Sequence, residues 1–268
     1  MVQDNTVNFL YTISGKHKQF ILPFIYFAAK YNKPNATFEF YITDGCIDEN
    51  TKNGIDFLRN IGIKNININV VNLYNGIYYR YLVSPKKKCR YTYMGDIDIM
   101  ITENIVDHHV ENMKKSGAIF DNIKRDGQDR LSGLHFVETY PYYMKTKKVR
   151  DYLDGLLRQG KVVCEGKAAH MLFYICKESK LKIPQLNDRP EHGFHISLNR
   201  KPFKQDSKLS IGLTNPEYKK EFLKTIKEDN FIRLLKYCPE FKTTLITALK
   251  YLMTGGKNEN LNKFNRVN

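Results

Sequence analysis

Cysteine is scarce and poorly placed for cross-linking. The five residues, Cys46, Cys89, Cys164, Cys176 and Cys238, are odd in number and scattered, with no C-x-x-C pair. This excludes a disulfide framework or a zinc ribbon and points to a reducing compartment. Long apolar runs are also missing. The richest early stretch, FILPFIYFAA from Phe20 to Ala29, falls well short of the roughly 20 residues that span a bilayer. The opening MVQDNTVNFLYTISGKHK has no basic region of the kind that begins a signal peptide. A cytoplasmic chain, at most peripheral on a membrane, is therefore expected. Negative charge is in short supply too. Against 43 Lys and Arg stand 28 Asp and Glu, for a formal charge of +15. Such a surface favours anionic partners: phosphates, nucleic acid or an acidic membrane face. No RRM, KH or zinc-finger pattern accompanies the charge, and the aromatics sit among aliphatic neighbours in periodic runs, so a nucleic-acid partner is not expected.

What is present is an alternation of strands and helices. VNFLYTI (7–13) reads as a buried strand and Gln19 to Tyr31 as a helix. ATFEFYIT (36–43) is a second strand ending at Asp44-Gly45, and Asp56 to Ile61 is helical. Asn65 to Val71 alternates as a third strand, Tyr78 to Val83 is helical, and Tyr91 to Met94 is a fourth strand. This order implies an α/β fold with an open, mainly parallel sheet flanked by helices, in which ligands bind at the carboxyl ends of the strands. Farther on, Lys115 to Asp121 and Gly133 to Glu138 read as short strands, and Lys148 to Gln159 and Gly166 to Lys177 as helices. From Glu217 the pattern is helical and basic. The expected division is a nucleotide-binding domain over 1–210 and a basic helical segment over 211–268, packed on the domain or turned to an acceptor or membrane through Lys219, Lys220, Lys224, Lys227, Arg233 and Lys236.

The fourth strand runs into YTYMGDIDIM, where Asp96 and Asp98 stand one residue apart. Residues i and i+2 of a strand share a face, so both carboxylates can converge on one point. Two anions a few ångströms apart repel unless a cation joins them, and a hard divalent ion, Mg²⁺ or Mn²⁺, suits oxygen ligands. Such an ion serves to bind a diphosphate.

RYLVSPKKKCRYTYMGDIDIMI, residues 80–101, resembles the donor-nucleotide segment of GT-A-fold glycosyltransferases, closest to the retaining, glycogenin-like and galactosyltransferase-like family eight. A second segment, HISLNRKPF at 195–203, is similar to that family's late H-x-x-G-x-x-K-P-W motif, with Leu198 at the glycine and Phe203 at the tryptophan. The resemblance implies a GT-A-like, Rossmann-like fold and a transferase using a nucleotide-diphosphate sugar. It implies Asp96, Asp98 and His195 as ligands of Mn²⁺ or Mg²⁺. Arg80, Ile97 and Lys201 would lie along the nucleotide and diphosphate, and Thr12 and Ser14, after the first strand, near the base and ribose. RLSGLH at 130–135 falls where the family lines the donor sugar, with Leu131 at its asparagine. Asp129, Arg130, Ser132, Gly133 and His135 are the candidates there. VVCEGKAAH at 162–170 falls where related retaining enzymes carry an acidic pair; Cys164 replaces the first acid, and Glu165 is the catalytic candidate.

The implied reaction is transfer of a sugar, UDP-linked above all, to a hydroxyl of a glycan or lipid-linked acceptor, with retention, in polysaccharide or surface-glycan synthesis. Two other classes share parts of the pattern. A Mg²⁺-dependent nucleotidyltransferase also pairs carboxylates, but usually has Gly-Ser shortly before them, and here Ser14-Gly15 lies far upstream. A basic nucleic-acid-binding protein would use the charge alone.

Overall fold

The computed structural model describes residues 5–71, 76–125, 129–161, 168–184, 192–196 and 215–253. Its centre is a six-stranded sheet in the order β3-β2-β1-β4-β7-β6. The strands are β1 (Val7–Ile13), β2 (Ala36–Ile42), β3 (Ile66–Val70), β4 (Tyr91–Met94), β6 (Phe120–Asp121) and β7 (His135–Glu138). Strands β1 to β4 are mutually parallel, β1 pairing with both β2 and β4, so their carboxyl ends meet at one edge. Strand β7 runs antiparallel to β4 and to β6. A separate two-stranded ladder joins β5 (Ile99–Ile101) to β8 (Gly193–His195), Ile99 opposite His195.

The pattern of burial explains the sheet. Strands β1 and β2 are covered on both faces, and apolar residues fill both sides of β1: Phe9, Tyr11 and Ile13 on one, Leu10 on the other. Helix α1 (Ile21–Asn32) lies on the first face and is apolar nearly all round, because its outer side is covered as well. The cover comes from the C-terminal helices α7 (Pro216–Thr225), α8 (Asp229–Leu234) and α9 (Pro239–Met253). Phe222 stacks on Phe27, Phe231 meets Tyr26 and Phe27 edge-on, and Phe241 meets Phe20. All three phenylalanines are fully buried, worth on the order of 2 kcal/mol each. Helices α3 (Gly76–Leu82), α5 (Thr139–Arg158) and α6 (Ala168–Glu178) cover the other face. Lys220, Lys224, Lys227, Arg233 and Lys236 point to solvent, Lys220 and Lys224 beside Glu217 and Glu221.

Some expectations need correction. Helix α2 (Glu49–Asn60) begins seven residues before the apolar run at Asp56, because Asp48 caps it by accepting from the Thr51 N–H. Helix α5 likewise starts at Thr139. The strand expected over 115–121 begins instead as the last two residues of a helix, α4 (Val106–Ser116), closed by Gly117 at φ 62°; only Phe120–Asp121 is strand. The ladder strands β5 and β8 are not among the strands expected from the sequence.

Candidate functional site

Asp96 and Asp98 do not share a strand face. Strand β4 ends at Met94, and both aspartates sit in the turn to β5, where the Ile99 N–H donates to the Asp96 carbonyl. Each carboxylate therefore has its own partner. Arg80, reaching across from α3, donates through Nη1 to the Gly95 carbonyl at 2.9 Å and to Asp96 Oδ1 at 3.3 Å. Asp98 Oδ1 stands 3.3 Å from His195 Nε2. The second pair is the more enclosed, with side chains 12% and 5% exposed against 43% for Asp96. The β5–β8 ladder holds it in register, reinforced by the Ile196 N–H donating to the Asp98 carbonyl at 2.7 Å.

Close backbone approach shapes the turn. A Cβ on Gly95 would lie 2.9 Å from the Tyr93 ring and 3.1 Å from the Tyr11 hydroxyl. On Gly193 it would lie 2.0 Å from the Met100 carbonyl, so no side chain fits between β8 and β5. Gly133 faces Asp96: a Cβ there would stand 3.6 Å from Asp96 Oδ1 and 3.7 Å from Arg80 Nη2. Glycine thus leaves room for about one carbon atom beside the carboxylate.

The site sets one guanidinium, Arg80, beside two carboxylates, Asp96 and Asp98. Burial works against the Arg80 charge, but Tyr81 and Asp96 outweigh it and hold the guanidinium above its ordinary pKa. Tyr11, wholly buried, has its phenol raised well above the ordinary value by burial, then by Tyr93 and Asp96, and stays neutral. Its hydroxyl has no partner among the described residues.

The donors match the divalent ion that the resemblance implies, in part. Two cis ligands of an octahedral ion at 2.1 Å stand about 3 Å apart, near the Asp98–His195 separation. A carboxylate oxygen with an imidazole nitrogen suits Mn²⁺. Among the described residues no three His, Cys, Asp or Glu side chains close into a metal-holding group, and Asp96 is turned to Arg80.

The remaining candidates separate into several places. Thr12 Oγ1 donates to the Gly76 carbonyl at 2.8 Å, tying the end of β1 to the start of α3. Ser14 is exposed beside it. Ile97 buries its side chain in the core, so only its backbone can meet a ligand. Asp129 is exposed near Lys124 at 3.5 Å. Arg130 is half-buried. Ser132 is buried, its hydroxyl accepting from the Leu134 N–H. His135 is fully buried and bonded through Nδ1 to Asn122, a core position that presents nothing to a sugar. Glu165 and Lys201 lie outside the described residues. Asn122 is an organiser that the sequence does not announce. Its amide accepts from the Ser132 N–H and donates to the Ser132 carbonyl, fixing the loop that carries Gly133.

No family model and no curated protein matches this chain. Solved structures do. The glycosyltransferase GlyE of Streptococcus pneumoniae TIGR4 superposes with a TM-score of 0.55 at 12% identity, over 90% of this chain and 64% of that one. Its apo form gives 0.52 at 12% identity, over 89% and 64%. This chain thus spans just under two thirds of the length of those structures. An active-site mutant of LgtC matches more loosely, at 0.42, 10% identity, 63% and 70%, too distant to argue from. What the likeness to GlyE shows is the architecture: a mostly parallel six-stranded sheet between helices, laid out as in a GT-A-like glycosyltransferase.

Proposed function

We propose that this chain is a metal-dependent glycosyltransferase that moves a sugar from a nucleoside-diphosphate donor, UDP above all, to a hydroxyl of a glycan or lipid-linked acceptor. The carrying observation is the buried Asp98–His195 pair at 3.3 Å, at the carboxyl edge of the parallel strands. That edge is where ligands bind in open α/β sheets. The fold shared with GlyE supports the same reading.

In this reading Asp98 and His195 would hold Mn²⁺ or Mg²⁺, and Asp96 would become the third ligand on turning from Arg80. When bound, the ion supplies positive charge to a departing diphosphate. Arg80 already stands beside Asp96 and adds a fixed cation there, joined by Lys201. Gly133, with no side chain to stand between Asp96 and a ligand, borders the donor sugar. Thr12 and Ser14 border the base and ribose. Glu165 is assigned, from the sequence alone, the role of nucleophile or of stabiliser of positive charge on the ring in a retaining transfer. Polysaccharide or surface-glycan synthesis is the setting that fits such chemistry.

The test is thermal stability with UDP, GDP, CDP and CMP, each with and without Mn²⁺. A ligand bound only by the folded chain raises the melting temperature by mass action. A rise that needs both Mn²⁺ and one nucleoside diphosphate is expected and names the donor base. No rise with any pairing overturns the proposal.

A further inference from the structure

Behind the candidate site lies a second, closed group of ionisable side chains. Glu103 follows β5, His192 immediately precedes β8, His109 is on α4 and Asp121 ends β6. Glu103 Oε1 meets His192 Nδ1 at 2.7 Å, His192 Nε2 meets His109 Nε2 at 2.9 Å, and His109 Nδ1 meets Asp121 Oδ2 at 2.7 Å. Both rings are buried, 0% and 3% exposed. Other groups face them. Tyr218 on α7 donates to Glu103, and Asn112 on α4 bridges Asp121 and His108. The His108 ring centres 5.7 Å from His192 and 5.9 Å from His109, and Tyr93 on β4 and Phe136 on β7 pack against the His109 ring.

Hydrogen-bond counting settles the protons. The two outer contacts end on carboxylates, both held below their ordinary pKa despite burial, His192 acting on Glu103 and His109 on Asp121. An ionised carboxylate only accepts, so each Nδ1 must carry its proton. Both Nε2 atoms of neutral rings would then be bare lone pairs, facing each other at 2.9 Å. Three contacts along a chain of four groups need three protons, one more than two neutral imidazoles possess.

We propose that His109 and His192 form a buried single-proton site, sharing one extra proton between their Nε2 atoms at neutral pH. The proton closes a relay that pins the entry of β8, and with it the strand that ends at His195, to α4 and β6. It also reduces the charge of the group from −2 to −1, which burial favours. A second extra proton would set two imidazolium rings face to face. Burial, followed by the charge of His192, pushes His109 down to about 4 against the pull of Asp121, and burial lowers His192 as well. The pair accepts one proton and refuses the next.

The sign with pH follows. An unfolded histidine releases its proton near pH 6.5; to share one at pH 7 the folded pair must hold it more tightly than that, against the burial that lowers each ring taken singly. The stabilisation is full below about pH 6.5 and is lost as pH rises through the folded value. The first test is long-range ¹H–¹⁵N correlation on the full chain labelled with ¹⁵N-histidine at pH 7, assigned with H109Q and H192Q. Three N–H protons over the four ring nitrogens are expected. Two bare Nε2 atoms, or a bare Nδ1, overturn the proposal. The second is the melting-temperature gap between wild type and H192Q. It should narrow by a few degrees from about pH 6 to about pH 9; a flat or widening gap also overturns the shared proton. If H192Q does not fold, the spectrum of the wild-type chain decides alone, with signals assigned through H109Q. Neither readout uses nucleotide or metal, so failure of the proposed transferase activity leaves this test intact.

Discussion

Two carboxylate–imidazole groups lie at opposite ends of one three-residue strand. At its end, His195 meets Asp98 at 3.3 Å, with Asp96 half open to solvent and the mostly buried Arg80 nearby. Just before its start, His192 meets Glu103 and His109 at 2.7 and 2.9 Å, with Asp121 behind. The residue types are nearly the same, yet the outcomes differ. The inner group spends its hydrogen-bonding capacity on itself through short contacts and has no room for a ligand. The outer group is looser, carries a fixed cation, and is bordered by a glycine instead of a side chain. Unspent coordination open to solvent is what makes a site, and satisfied coordination in the core makes a joint.

Substitutions can break this contrast. The largest effect is expected from Asp98→Asn, which keeps the shape but removes the charge of the outer pair. Sugar transfer should fall about 100-fold or more in a chain that still folds; steady-state assay alongside a melting curve checks both. Near-normal turnover would make the outer pair as structural as the inner one. Asp121→Asn should act the other way. Removing the charge from a buried pair costs about 3 kcal/mol, read as a lower denaturant midpoint, while Mn²⁺-dependent nucleotide binding by the folded fraction stays within about twofold. The mildest is Arg80→Met, which should weaken nucleoside-diphosphate binding about tenfold, or 1.4 kcal/mol, with the loss easing at high salt. Unchanged affinity would remove Arg80 from the diphosphate's path.

Much of the sheet was legible because its central strands are buried on both faces. Runs such as VNFLYTI and YTYM have few other places to go, and their observed bounds match the sequence reading. The contact between Arg80 and Asp96 was not legible, since the sequence reading gave Asp96 to a metal ion and Arg80 to the nucleotide. Nor was the placement of the two aspartates, because their convergence assumed a strand where the chain turns. Helix α4 was missed because only Val106, His109 and Met113 face inward, and Gly117 looked like part of a strand instead of a helix stop. His192 carries no motif of its own in the sequence. Its partners lie 83 and 89 residues away, so no local pattern could bring them together. The same holds for Asn122, whose value lies in where its amide reaches.

The wrapping of α1 has a consequence for synthesis. Tyr26 and Lys30 bond to Glu228, 202 and 198 positions later, and Phe20 waits for Phe241. Contacts so distant in sequence close late and slow folding. At ribosomal speeds of about 5–20 residues per second, the outer flank of this greasy helix stays bare for roughly 10–40 s before its cover emerges. The nascent chain is thus a natural client for chaperones that shield apolar surface, and a ribosome stalled before α7 would release an aggregation-prone fragment.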